Sequence, residues 1–115
     1  DIKLAISAYI SDDYIHEDRV RLELYRRLSK ASDIQDIYKI EEEMEDRFGK
    51  PDIFTKQFIE LIIIKILALN LGIQSISSYE MNITFTKAND TKETIKSPSK
   101  DDDDIIATTL RYLRK

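Results

Sequence analysis

Residues 61–73 read Leu61-Ile62-Ile63-Ile64-Lys65-Ile66-Leu67-Ala68-Leu69-Asn70-Leu71-Gly72-Ile73, and the change of pattern at Gly72 decides the fold. Up to Leu69 the run is apolar nearly all round, the pattern of a helix buried at the centre of a domain. Lys56, Glu60, Lys65 and Asn70 interrupt it too soon for a membrane span, which needs about 20 apolar residues. The spacing predicts a helix from Asp52 to Leu71, ended by Gly72. Beyond Gly72 side chains alternate instead. Ile73, Ser75 and Ser77 alternate with Gln74, Ile76 and Ser78, and Met81, Ile83 and Phe85 with Asn82, Thr84 and Thr86. Two strands are predicted. Lys87 to Thr91 reads as a hairpin turn and Lys92–Lys96 as the return strand.

Working outward, a helix is predicted from Asp33 to Phe48, with Ile34, Ile37, Met44 and Phe48 on one side and Ile40 close by. Ser32-Asp33-Ile34-Gln35 fits a capping box in which Ser32 caps the helix and Gln35 reaches back. Gly49 suits a left-handed residue after the last turn, and Pro51 blocks continuation. An earlier helix, from about Glu17 to Lys30, carries Val20, Leu24, Leu28 and Ala31 as a stripe with Tyr25 at its shoulder. Before it, Ile2, Leu4, Ile6 and Ala8 alternate through residues 2–10 as in a half-buried strand, and Ser11-Asp12-Asp13 breaks the run. At the other end, Ser97-Pro98-Ser99-Lys100 opens a last helix running to about Arg114, with Ile105, Ile106, Thr109, Leu110 and Leu113 on its apolar side. The expected class is α+β: about three helices packed with a small, mostly antiparallel sheet and a C-terminal helix, in a single domain over residues 1–115.

The chain has 115 residues, 18 Lys+Arg, 22 Asp+Glu, a net charge of −4, one His and no Cys. Its length buries roughly two thirds of the unfolded surface, enough to fold without staples. The lack of Cys excludes disulfides and thiolate metal sites and fits a reducing, cytoplasmic compartment. No membrane association is expected, and because Asp1 has no Met before it a fragment of a longer chain is the expectation.

Candidate chemistry is thin. His16 has no nucleophile at a recognisable spacing and reads as an exposed residue at a helix entrance. Asp101-Asp102-Asp103-Asp104 lacks the spaced acids, central Gly and terminal Glu of a calcium loop. Aspartates in a first helical turn oppose the positive end of the dipole, each contributing about 0.3–1 kcal/mol. The two glycines are too far apart for a phosphate-binding loop. No catalytic residue, cofactor or metal site is expected. Arg19, Arg21, Arg26, Arg27 and Lys30 make the first helix basic, which leaves a small nucleic-acid-binding accessory domain as the alternative reading. The negative net charge and the lack of a recognised nucleic-acid motif weigh against it.

The second helix is more informative. Glu41, Glu42, Glu43, Glu45 and Asp46 crowd its last two turns, where acids oppose the helix dipole. At about 100° per residue, Glu42, Glu43 and Asp46 turn away from the Ile37/Met44/Phe48 stripe. Two readings stand: solubility with partial pairing to Lys39 and Arg47, or a docking face for an arginine-rich partner, where carboxylate–guanidinium pairs fix orientation.

Ala8-Tyr9-Ile10-Ser11-Asp12-Asp13-Tyr14-Ile15, then Arg19-Val20-Arg21-Leu22-Glu23-Leu24-Tyr25-Arg26-Arg27-Leu28, then Glu45-Asp46-Arg47-Phe48-Gly49, then Leu71-Gly72-Ile73 together resemble the C-terminal domain of bacterial transcription-repair coupling factors. The resemblance covers about residues 2–73. It departs at His16, where the family often has Pro, at Gly49-Lys50-Pro51, and in the few basic residues of Leu61–Leu71; beyond Ile73 no motif matches.

The resemblance implies a regulatory module and not an enzyme. The parent would be an ATP-dependent double-stranded DNA translocase, with ATP and magnesium bound upstream, that displaces stalled RNA polymerase and recruits excision repair through UvrA. In such a parent this domain would dock on the UvrB-like module of the same chain and mask its arginine-rich UvrA-binding surface. Glu42, Glu43 and Asp46 are the residues expected to make that contact.

Overall fold

The computed structural model describes residues 1–115 as β1 (Ile2–Lys3), α1 (Asp18–Lys30), α2 (Ile34–Phe48), α3 (Ile53–Asn70), β2 (Ile73–Tyr79), β3 (Asn82–Lys87), β4 (Lys92–Lys96) and α4 (Asp102–Leu113). The class is α+β, with four helices and a four-stranded sheet of order β1-β2-β3-β4. The β2–β3 and β3–β4 pairs are antiparallel and the β1–β2 pair is parallel. No helix is long and apolar enough to cross a membrane. The chain divides into two compact units: residues 7–63, and residues 1–6 with 64–115.

The unit of residues 7–63 holds α1, α2 and the first part of α3. Leu24 and Leu28 of α1, Ile37, Ile40 and Met44 of α2, and Ile59 and Ile63 of α3 are buried, as their helical spacing requires. Each of three tyrosines meets a phenylalanine: Tyr9 stacks on Phe54, and Tyr14 and Tyr25 meet Phe48 and Phe58 edge-on. Ser11 ends the entering segment, since its carbonyl accepts from the Tyr14 and Ile15 amides and its own amide donates to Thr55 Oγ1. Asp52 caps α3 by accepting from the Thr55 amide at 2.9 Å. Burial pushes the Asp52 carboxyl up, but hydrogen bonds from Thr55 and Ser11 outweigh it and hold the group below its ordinary value.

The second unit packs the sheet with the end of α3 and with α4. Its core is Ile64, Ala68, Ile73, Ile76, Ile83, Phe85, Ile105, Ile106 and Leu113. Ile73 and Ile76 are both buried although three residues apart, which strict alternation forbids. A register shift between Ile73 and Ser75 inserts one extra residue and returns Ile76 to the core face. The β2–β3 connection places Glu80 at φ +54, without the Asn-Gly signal that usually announces such a turn. In the β3–β4 turn Asn89 Oδ1 accepts from the Thr91 amide, and Asp90 has φ +67.

Three local expectations are corrected. The strand expected over residues 2–10 is only Ile2–Lys3. The Ile6 amide donates to Leu4 O at 2.9 Å and the Ala5 amide to Ser78 Oγ at 2.7 Å, so the backbone turns out of the ladder. Ile2, Leu4, Ile6 and Ala8 are nevertheless the more enclosed residues, so the alternation reports burial without strand pairing. The α2 cap is Asp33 and not Ser32: Asp33 Oδ1 accepts from the Gln35 amide at 2.9 Å. Gly49 has the expected positive φ of +84, but its ψ of −174 lies outside the left-handed helical region.

Candidate functional site

The acidic end of α2 sorts into residues held within the chain and residues left outward. Glu43 is held. Arg27 of α1 donates through Nη1 to Glu43 Oε2 at 2.6 Å and through Nη2 to Oε1 at 2.9 Å, a bidentate pair. Arg47 adds a longer contact of 3.6 Å from the same helix. The Arg27 hydrogen bond holds the Glu43 carboxyl below its ordinary value, and the same bond raises Arg27. Glu41 is held as well, accepting from Lys56 Nζ of α3 at 2.7 Å, which raises Lys56.

Glu42 and Asp46 are exposed and make no ion pair within the chain. Glu45 is also exposed. The backbone below them is fixed from α1's side of the unit. Tyr14 donates to the Gly49 carbonyl at 2.6 Å and approaches that of Met44 at 3.3 Å, tying down the end of α2. Burial, then the charges of Glu45, Asp52 and Glu41, push the Tyr14 hydroxyl up to about 12. The face is therefore a helix end bonded to Tyr14, with outward carboxylates at Glu42 and Asp46 beside the paired Glu43.

Of the pairings that the charge pattern predicted, Arg47 with Glu43 is present. Arg27, Lys56 and Tyr14 were missed, because they reach α2 from other elements and no sequence spacing links them to it. The basic first helix is also partly committed. Arg21 donates to the Ile15 and His16 carbonyls and pairs with Asp18, and Arg27 is spent on Glu43, leaving Arg19, Arg26 and Lys30 exposed. His16 is exposed just before α1. At the start of α4, carboxylate oxygens of Asp101, Asp103 and Asp104 lie within 4.8 Å of one another. Ser99 Oγ donates to Asp104 Oδ2 at 2.7 Å, and the helix N-terminus accounts for the placement of these acids.

The fold is that of a small α+β module. The family model described as the TRCF domain matches residues 4–97, and the chain belongs to that family. The match runs well past Ile73, where the motifs read from the sequence had stopped. A transcription-repair-coupling factor of Helicobacter pylori strain J99 is 46% identical over 113 residues, which is 98% of this chain and 11% of that protein. One from Rickettsia prowazekii strain Madrid E is 32% identical over 77 residues, 67% of this chain and 7% of that protein. The chain thus spans about a tenth of the curated relatives it matches. A solved structure of the C-terminal domain of a transcription-repair coupling factor shares the fold at a TM-score of 0.72, with 24% identity, over 76% of this chain and 54% of that one.

Proposed function

We propose that this chain is the regulatory C-terminal domain of a transcription-repair coupling factor and restrains its parent by docking on the UvrB-like module. The parent reads as an ATP-dependent DNA translocase of the cytoplasm that displaces stalled RNA polymerase in transcription-coupled excision repair. ATP, magnesium, DNA and polymerase belong to its other domains. The docked domain covers the surface that UvrA would otherwise bind.

The observation that carries this reading is the pair of outward carboxylates, Glu42 and Asp46, at a helix end where acids oppose the dipole and no cation of the chain neutralises them. An arginine-rich partner surface supplies what the helix lacks. Glu43 lies beside them with its carboxylate already oriented by Arg27. A reversible switch needs a contact of only a few kcal/mol, and modest polar contacts between domains are of that order.

The test is a Glu42→Lys, Asp46→Lys double change in the full-length coupling factor. These positions are chosen because Glu43→Lys would also break the Arg27 pair and confuse folding with docking. UvrA should bind the variant at least about tenfold more tightly, which corresponds to losing a restraint of about 1.4 kcal/mol. UvrA affinity equal to that of the unaltered protein would sink the assignment.

A further inference from the structure

Asp46 sits in the turn of α2 least able to hold itself. The last carbonyls of a helix lack intrahelical donors, so a terminal turn opens more easily than the rest. Acids at that end oppose the helix dipole, so the exposed Glu45 and Asp46 weaken the turn that carries them. Within the chain's own backbone, the Gly49 amide closes this turn on the Glu45 carbonyl at 2.9 Å.

Burial gives little help there. Met44 is fully buried, but of the helical residues after it only Phe48 is even half-buried. Glu42 is placed differently. It lies one turn earlier, between the buried Ile40 and Met44 and next to the Glu43 that Arg27 holds.

Tyr14 brackets the weak turn from outside α2. Its hydroxyl donates to the Gly49 carbonyl at 2.6 Å, just past the helix end, and lies 3.3 Å from the Met44 carbonyl, where the turn begins. Its ring meets Phe48 edge-on, with centroids 6.0 Å apart. Tyr14 is itself placed by the backbone: its amide and that of the buried Ile15 donate to the Ser11 carbonyl. With its pKa pushed up to about 12, the hydroxyl keeps its proton and stays a donor.

We propose that Tyr14 is a positioning residue for the docking face: its hydroxyl holds the last turn of α2 so that Asp46 meets the partner's guanidinium, while Glu42 is positioned without it. This role rests on the docking reading above and adds to it a residue that acts only through Asp46.

The test is a double-mutant cycle in the full-length coupling factor, with UvrA affinity as the readout. Tyr14→Phe removes the hydroxyl and keeps a ring against Phe48. It should raise UvrA affinity about threefold, as a partly released restraint does. Added to Asp46→Asn, it should change affinity by less than about 1.5-fold, because the carboxylate it positions is gone. Added to Glu42→Gln, it should keep its effect of about threefold. A purely structural Tyr14 would weigh equally in both backgrounds.

The proposal is overturned if Tyr14→Phe leaves UvrA affinity unchanged. It is equally overturned if the effect survives Asp46→Asn in full, as general unfolding of the domain would make it, or if it vanishes with Glu42→Gln. The docking reading is judged separately by the Glu42→Lys, Asp46→Lys change. A rise there without a Tyr14 effect keeps that reading and discards the role of Tyr14; no rise in either discards both.

Discussion

Arg27 and Glu43 form a two-pronged pair, at 2.6 and 2.9 Å, that joins α1 to α2. It divides the acidic end of α2 into paired and unpaired carboxylates. Glu43 secures the helix pair and keeps its carboxylate in one orientation. Glu42 and Asp46, which flank it in sequence, face outward without a partner. A carboxylate has about four acceptor positions, so Glu43 can receive a further donor while Arg27 stays in place.

Replacing Arg27 with Ala tests that division through pH. The side chains are 37% and 41% exposed, so solvent screening limits the pair to roughly 0.2–1 kcal/mol. Glu43 has a folded-state pKa below its unfolded one because of Arg27. Its contribution is therefore full above the ordinary carboxylate pKa of about 4.3 and disappears as pH falls through the lowered folded value. Urea unfolding should find Arg27→Ala less stable than the unaltered chain at pH 7, with the gap narrowing as pH falls below the ordinary carboxylate range. A gap that does not change with pH would show that the guanidinium acts through packing alone.

The α2 cap gives a sharper comparison between adjacent residues. Asp33 accepts from the Gln35 amide, and Ser32 precedes the capping position. Asp33→Ala should cost about 1 kcal/mol, and Ser32→Ala should stay within about 0.5 kcal/mol of the original. Thermal unfolding of the two variants ranks them; the reverse order would restore Ser32 as the cap.

Periodicity made the helices legible because burial of Leu24, Leu28, Ile37, Met44 and Ile105 follows directly from which residues share a helix face. The same rule overextended the first strand, since Leu4, Ile6 and Ala8 alternate in burial while their backbone turns away from β2. It could not foresee the bulge that puts Ile73 and Ile76 on one face, because a bulge is settled by pairing with β3 and has no local signature. At the candidate site, the outward placement of Glu42 and Asp46 was readable from the helix angle. The capture of Glu43 by Arg27 and of Glu41 by Lys56 was not, because those cations lie 16 and 15 residues away on other helices.

Gly49 is a backbone requirement rather than a space requirement. A Cβ there would meet nothing within 4 Å. Its φ of +84 with ψ of −174, however, lies in a region open essentially to glycine alone. Gly49→Ala should destabilise the chain by about 1–3 kcal/mol. Part of the loss would come from the Gly49 carbonyl, which accepts the Tyr14 hydroxyl at 2.6 Å. Denaturant melts of Gly49→Ala, Tyr14→Phe and the double variant separate the two effects. Strictly additive losses would mean that the Tyr14 bond does not depend on the glycine geometry.

Tyr112 and Glu93 make a testable alkaline pair. The hydrogen bond to Glu93 first, then burial, then the Glu93 charge push the Tyr112 hydroxyl up to about 12. The folded value lies above the ordinary tyrosine value of about 10, so this contribution to stability is complete below pH 10 and is lost as pH rises through about 12. In an absorbance titration of the phenolate band, Tyr14 and Tyr112 should together give a late phase near pH 12. Glu93→Gln removes the charged acceptor and should move one tyrosine out of that phase, while Tyr14→Phe should remove the other. If Glu93→Gln leaves the late phase unchanged, Tyr112 is not held by Glu93.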